Sequence, residues 1–218
     1  MKSACPMCRY FVQALAIVVC VVAGALAQET EFNRWTFDVG GGVTPTLGAM
    51  NSRLGTGWNI SGGGGMNFTR HLGAEFQVMY DGLGVNPSVL QEFAVPGANA
   101  HLWGFSLDPR ARFRISDRLG IYVMGGPGYY RRVVNFTQPT TELITVFDPF
   151  FGFQSIPIAA DQVIGTITRV GWGGNIGAGL TYKLGDSGLK FFTEISFHYA
   201  DTHPTATEVL PFTFGIRW

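Results

Sequence analysis

The sequence contains few of the residues that stabilise ordinary secreted proteins. Its only three cysteines, Cys5, Cys8 and Cys20, lie within the first 27 residues, so the rest of the chain holds no disulfide framework. Charged residues make up 14% of the chain, with 15 basic against 15 acidic side chains. No basic excess points to nucleic acid as a partner. The four histidines are scattered without zinc-ligand spacing, and we expect no metal site and no cofactor.

Residues 1–27 have the three-part pattern of a secretory signal peptide. Lys2 and Arg9 form a basic lead, an apolar run covers residues 10–22, and small residues precede Ala27. A transmembrane anchor is the alternative, but the uncharged run is near the low end of the roughly 17 to 25 residues that a spanning helix needs. We therefore expect cleavage after Ala27. The remaining chain would carry 13 basic and 15 acidic residues, a formal charge of −2.

Beyond the leader, no helix-length stretch has apolar residues at a spacing of 3.6. The pattern has period two instead, as in "LGAEFQVMYD", where every second residue is apolar and the others are mostly polar. Thirty glycines also argue against an ordinary helical domain. The alternating segments number eight: 35–45, 57–68, 72–81, 100–115, 120–134, 169–184, 189–199 and 208–218.

These segments predict an all-β fold, an eight-stranded antiparallel up-and-down transmembrane β-barrel over residues 35–218, after an N-terminal lead at 28–34. Most segments reach the roughly 9 to 11 residues of a tilted membrane strand. Their connections alternate between short and long, which is typical of outer-membrane barrels. A soluble β-sandwich or lipocalin-like barrel is the alternative, because its strands alternate as well.

The composition of the two faces favours the membrane barrel. One face is rich in aromatic and aliphatic residues, whereas the other carries glycine, Asn, Thr and charge, which suits the small interior of eight strands. Buried charges need partners, so we predict a charge network across the lumen. It serves either as a polar plug or as a narrow gated ion path. Its predicted members are Asp38, Glu75, Asp81, Asp108, Arg110, Arg112, Arg114, Lys183, Lys190, Glu194 and Arg217.

The chain ends in "VLPFTFGIRW", an apolar strand at a position where most chains fray. As the eighth strand it would pair with the seventh and the first, which leaves no open edge. Pro211 cannot donate to the ladder, so it fits near the strand's start at the outer rim. Trp218 then lies at the periplasmic interface, where aromatic residues form a girdle.

The eight-strand plan, "GWGGNIGAGLTYKLGDSGLKFFTEISFHYA" and "TEVLPFTFGIRW" resemble the OmpA-type and OmpX-like outer membrane β-barrel domain family over essentially the whole mature chain. The resemblance implies a multi-pass barrel in the bacterial outer membrane, in contact with its lipid and lipopolysaccharide. It also implies that the barrel-assembly machinery reads Phe214, Ile216 and Trp218 as a C-terminal sorting signal. No periplasmic domain follows Trp218, so we do not expect a wall-tethering role.

Some barrels that this chain resembles are lipid A-modifying enzymes. Among them, the deacylases carry a His-x-Ser pair late in the barrel, with an acidic partner. Here Ala200 follows His198 where that serine would stand. Ser196 and Glu194 share a face with His198, but residues two apart on a strand are separated by roughly 6.6 Å. A nucleophile and its base must come within about 3 Å. We therefore expect no catalytic activity, and a lipid A-modifying enzyme is the most distant alternative.

Residues 135–168 form a long predicted loop with Phe147, Phe150, Phe151 and Phe153. An exposed aromatic cluster can mark a binding site. The candidate partners are lipopolysaccharide, another cell-surface protein or a neighbouring copy. The alternative is that strands five and six extend above the membrane and these rings pack on each other. The predicted function is a structural or surface-interaction role, with a narrow channel as the alternative.

Overall fold

A computed structural model describes residues 33–92, 94–185 and 188–218. The predicted signal peptide, with residues 28–32 of the lead, lies outside the described residues. Among those described, no helix has the length and apolar character needed to cross a membrane. A 3-10 turn at Gly48–Met50 and the short helix α1 at Pro87–Glu92 accompany nine strands. The strands are β1 Trp35–Thr44, β2 Gly57–Asn67, β3 Leu72–Gly84, β4 Gly97–Arg114, β5 Leu119–Asp148, β6 Gly152–Lys183, β7 Lys190–Ala200, β8 Thr207–Val209 and β9 Phe212–Arg217.

The strands form a closed antiparallel ring. Each strand from β1 to β7 pairs with its neighbour in sequence, and β9 pairs with both β7 and β1. The short strand β8 continues the line of β9 along β7 after a break at Leu210 and Pro211. Since β8 and β9 occupy one position, the ring has eight strands. The predicted all-β, eight-stranded antiparallel architecture is confirmed.

The predicted loop at residues 135–168 is wrong. Strands β5 and β6 pair almost continuously up to Asp148 and Gly152, with one register shift at Phe136/Thr137. The segment is rich in Thr, Val, Ile and Phe, which favour strands. Phe147 and Phe153 also form a cross-strand aromatic pair with ring centroids 5.3 Å apart. The extended-strand alternative describes the hairpin correctly.

The barrel is polar inside and apolar outside. Among the described residues, the buried side chains include 22 polar or charged ones and 12 apolar ones, while large apolar side chains cover the outer face. Aromatic residues mark two levels on that face. The outer belt contains Trp58, Tyr80, Trp103, Tyr129, Trp172 and Tyr199, and the inner belt contains Trp35, Phe37, Phe113, Tyr182, Phe191 and Trp218.

The spacing of the belts matches a bilayer. Trp103 and Phe113 lie on the same strand, ten residues apart, which is about 33 Å along the strand. At a tilt of about 40° this corresponds to about 25 Å along the barrel axis, the height of the apolar band of outer-membrane barrels. The short turns lie beyond the inner belt and face the periplasm, whereas the long connections lie outside.

The chain end is part of the hydrogen-bonded ladder. The Trp218 backbone N–H donates to the Phe37 carbonyl, and the Trp218 carbonyl accepts from the Phe37 N–H, both at 3.0 Å. The centroids of the two rings lie 6.1 Å apart. The last residue is thereby held against β1 at the inner belt, although β9 itself ends at Arg217.

The outer mouth is closed by an apolar plug. Met50 and Leu54, on the connection between β1 and β2, are buried against Leu83, Leu102 and Val209. The Thr46 hydroxyl donates to the Leu54 carbonyl at 2.5 Å and holds this connection in place. Below the plug, the interior becomes polar.

Candidate functional site: the charged lumen

Glycine on the inward face makes space for the charged side chains. A Cβ atom at Gly63 would come within 2.7 Å of Glu75 Oε1 and 2.9 Å of Asp38 Oδ1. At Gly179, a Cβ would collide with the Tyr122 ring. These close approaches explain why glycine occupies the inward-facing positions of "GGGG" on β2 and "GAG" on β6.

Two arginine–carboxylate pairs form the centre of the lumen. Arg110 on β4 binds Glu75 on β3 with both terminal nitrogens, at 2.5 and 2.6 Å. Arg217 on β9 donates to Asp38 on β1 from Nε at 3.0 Å and from Nη2 at 2.9 Å. The two pairs approach each other where Arg110 Nη1 lies 4.0 Å from Asp38. We call Asp38, Glu75, Arg110 and Arg217 the central quartet.

Aromatic rings complete this cluster. The guanidinium carbons of Arg110 and Arg217 lie 4.8 and 4.6 Å from the Tyr122 ring centroid, within cation–π range. Arg217 also lies 4.8 Å from the Phe192 ring centroid. The Tyr122 hydroxyl donates to Glu194 at 2.6 Å. Strands β1, β3, β4, β5, β7 and β9 are therefore linked across the lumen by this single cluster.

The side chains at this level of the lumen are almost completely buried. The side chains of the central quartet are only 1–5% exposed, and Tyr122 is 1% exposed. Charges that are removed from water in this way must be paired, because an uncompensated buried charge is strongly destabilising. In this conformation water barely reaches the cluster.

Two predicted members of the network form no salt bridge among the described residues, although one of them, Asp108, lies directly opposite Glu75 on the neighbouring strand. Asp81 accepts from the Thr44 hydroxyl at 2.6 Å, and Asp108 accepts from the Ser106 hydroxyl at 2.6 Å. Neither carboxylate forms the direct ion pair that we expected, although the charge of Arg110 still acts on Asp108. Hydroxyl donors replace a cation because they offer a hydrogen bond without a second buried charge.

The remaining predicted members lie at the periplasmic end. Arg112, Lys183 and Lys190 are half-buried around the lower mouth. Arg114 does not enter the lumen, and that prediction is wrong. It is the last residue of β4, its side chain is 72% exposed, and it forms a 3.3 Å ion pair with Asp117 in the adjacent turn. The alternation of inward and outward side chains ends at this residue, because the turn begins there.

A protein-family match covers most of the sequence. Residues 13–209 match the family described as outer membrane protein beta-barrel domain. The chain belongs to this family. It is therefore a bacterial outer-membrane protein that crosses the bilayer with strands, as its fold and aromatic belts also indicate. No curated protein sequence matches the chain significantly.

Solved structures of other outer-membrane proteins share this barrel fold. Neisserial surface protein A (NspA) superposes with a TM-score of 0.54 at 11% identity, over 84% of this chain and 95% of that one. A major outer membrane protein from Thermus thermophilus gives a TM-score of 0.54 at 13% identity, over 85% of this chain and 98% of that one. At these identities the likeness concerns the fold alone.

Sequence reasoning missed three residues of this outer-membrane barrel's lumen. Tyr122 and Phe192 are uncharged, so a search for charges passed over them. Arg132 is 9% exposed and donates from Nη1 to the Thr207 hydroxyl at 3.0 Å. The alternation of β5 places both Tyr122 and Arg132 inward, so the signal was present in the sequence.

The distance argument against Ser196 and His198 is also wrong. His198 Nε2 lies 2.9 Å from the Ser196 hydroxyl, because side chains two residues apart can converge although their Cα atoms do not. His198 Nδ1 is bound to the Tyr130 hydroxyl at 2.9 Å, while Glu194 binds Tyr122 instead of the histidine. Both Ser196 and His198 are 3% exposed inside the lumen. A serine–histidine–acid relay is thus not formed by the described residues.

The predicted sorting residues lie on the outer face of the barrel. Phe214 is 51% exposed, Ile216 is 41% exposed and Trp218 is 50% exposed, all on the lipid side of β9 or just after it. Their role as a C-terminal sorting signal stays a prediction.

Proposed function

We propose that this protein is a structural barrel with a surface-interaction role, and that the hairpin of β5 and β6 binds a protein partner outside the cell. The proposal rests on one observation. Residues 138–162 rise beyond the rest of the barrel as a two-stranded ribbon with apolar side chains exposed on both faces.

The ribbon begins where the pairing of β4 with β5 stops. Gly97 pairs with Thr137, and above this level only β5 and β6 continue within the described residues. They form eleven residue pairs, from Gln138–Gln162 to Asp148–Gly152, which corresponds to about 35 Å. An isolated two-stranded hairpin is marginally stable in water. A partner that covers its faces would stabilise it.

Apolar residues occupy both faces and the tip of the ribbon. Leu143, Phe147 and Phe153 are 71%, 66% and 78% exposed on one face. Phe150 at the tip is 90% exposed, and Phe151 is 76% exposed. The other face carries Ile144, Val146, Ile156 and Ile158, each 36–39% exposed. An exposed apolar surface of this kind is typical of an interaction site.

The acidic charge of the ribbon and its unpaired strand edges favour a protein over lipopolysaccharide as the partner. Residues 138–162 contain Glu142, Asp148 and Asp161 but no basic residue. An acidic ribbon is repelled by the phosphate groups of lipopolysaccharide. The outer edges of the ribbon have no third strand in the described part of the chain, so they can accept a strand from a partner. An apolar protein surface with basic residues fits both features.

The lumen supports the structural role over the gated ion path. The central quartet and the Met50–Leu54 plug close the interior at two levels. The central quartet also links β3 and β4 to β1 and β9, which lie at opposite ends of the barrel sequence, as Asp38 and Arg217 illustrate. A register-fixing plug is the role that this geometry favours.

A site-specific photocross-linker tests the hairpin proposal on intact cells. We expect a cross-linker in place of Leu143 to capture a discrete protein, whereas the same group in place of lipid-facing Leu107 should capture none. The double substitution Phe147→Ser/Phe153→Ser should abolish the adduct while the barrel stays folded. An adduct with lipopolysaccharide, no discrete adduct, or an adduct unaffected by the double substitution would each contradict the proposal.

A further inference from the structure

The periplasmic mouth contains an open cavity of about 540 Å³. It lies between the short turns, at the opposite end of the barrel from the hairpin. The described residues that line it carry mostly positive charge, because they include a single acid, Asp117, which is already paired with Arg114. The basic residues that line it are Arg70, Arg112, Arg114, Arg118, Lys183 and Lys190.

Several of these basic residues lie where their positive charges repel one another. Lys183 and Lys190 are directly opposite each other on β6 and β7, and Lys190 is also opposite Arg217 on β9. Like charges in directly opposed positions destabilise a sheet. Arg217 is bound to Asp38, but Lys183 and Lys190 have no acidic partner among the described residues. Arg112 adds a further repulsive charge near Lys190.

The hydrogen-bonding capacity of Arg112 is also largely unused. Its side chain is half-buried and lines the cavity. Nη2 makes one long hydrogen bond of 3.4 Å to the Thr69 carbonyl, and the buried Nε has no hydrogen-bond partner in the described structure. A bound anion would satisfy such donors and offset the repulsion among the three cations.

We propose that this mouth binds a phosphate-type oxyanion, with Arg112, Lys183 and Lys190 as its principal ligands. An arginine fork recognises phosphate oxygens in pairs, and lysine ammonium groups act as compact point charges beside it. The cavity is level with the inner aromatic belt, since Phe113 lines it and is exposed to lipid. The phosphate can therefore come from a phospholipid headgroup or from a soluble phosphorylated compound in the periplasm.

Calorimetric titration of the folded protein with inorganic pyrophosphate tests the shared chemistry. We expect saturable binding to the wild type, weakened at least tenfold in Lys183→Gln/Lys190→Gln. The matched control is Arg131→Gln/Arg169→Gln, which removes two exposed cations at the outer end and should bind like the wild type. Because the first variant relieves repulsion, it should fold at least as well as the wild type without pyrophosphate.

A second arm distinguishes the sources of phosphate. Nanodiscs that contain phosphatidylglycerol and phosphatidylcholine are used, and the lipid retained by the released protein is weighed by native mass spectrometry. Retention of phosphatidylglycerol that is lost in Lys183→Gln/Lys190→Gln supports a headgroup site, while pyrophosphate binding without such retention supports a soluble ligand. If neither probe binds, or if the variant and the wild type bind both probes equally, the proposal is wrong.

Discussion

Removal of Glu75 alone from its pair with Arg110 should lower the free energy of unfolding far more than replacement of both residues by apolar ones. In Glu75→Leu, Arg110 loses contacts at 2.5 and 2.6 Å, and the one ion pair that it retains among the described residues is with Asp38 at 4.0 Å. The two side chains are 4% and 1% exposed, so the cation stays buried. Removal of one partner from such a pair costs about 3–5 kcal/mol, whereas replacement of both by apolar groups is often neutral.

Urea unfolding of the barrel in phospholipid vesicles, followed by tryptophan fluorescence, measures these free energies. With an m value of about 2 kcal/mol/M, the loss in Glu75→Leu corresponds to a midpoint lower by about 1.5–2.5 M. The double variant Glu75→Leu/Arg110→Met should recover most of this loss. The difference would establish the coupling between the two residues.

The exposed pair of Arg114 and Asp117 provides the matched control. Its side chains are 72% and 98% exposed, so Arg114→Met should change the free energy of unfolding by no more than about 1 kcal/mol. Equal losses in Glu75→Leu and Arg114→Met would refute the reasoning. The same holds if the double variant loses the sum of its two single losses.

Two further predictions concern the packing and the closure of the lumen. Gly179→Val should displace the Tyr122 ring and lower the free energy of unfolding by about 1–3 kcal/mol in the urea assay, while Gly62→Ala, which meets only an ordinary contact, should leave it nearly unchanged. Purified protein in planar bilayers should show no conductance steps, because the central quartet and the apolar plug close the interior. Discrete steps would show that the lumen opens and that the plug interpretation is wrong.

The strands and their faces were predictable because the side-chain period of a strand is two. Glu75 and Phe76 illustrate this, since the carboxylate is 1% exposed inside the barrel and the ring is 51% exposed outside. Arg114 marks the limit of the rule. At the end of a strand the backbone turns, and a residue of inward parity can point into solvent.

The partners of each charge were not predictable from the sequence. Asp38 and Arg217 are 179 positions apart, and their contact depends on closure of the ring between β1 and β9. The same applies to Tyr122, which meets two arginines from different strands. The strand bounds of the hairpin were not predictable because its residues alternate less clearly, although their β-branched composition favours the extended-strand alternative.

The central claim is that residues 35–218 fold as a closed barrel in the outer membrane. The most direct test is electrophoresis of the outer-membrane fraction in detergent, with and without boiling. The account predicts that the unboiled protein migrates at a different position, because the ladder closed between β9 and β1 resists detergent until it is heated. Identical migration before and after boiling, or absence of the protein from that fraction, would contradict it.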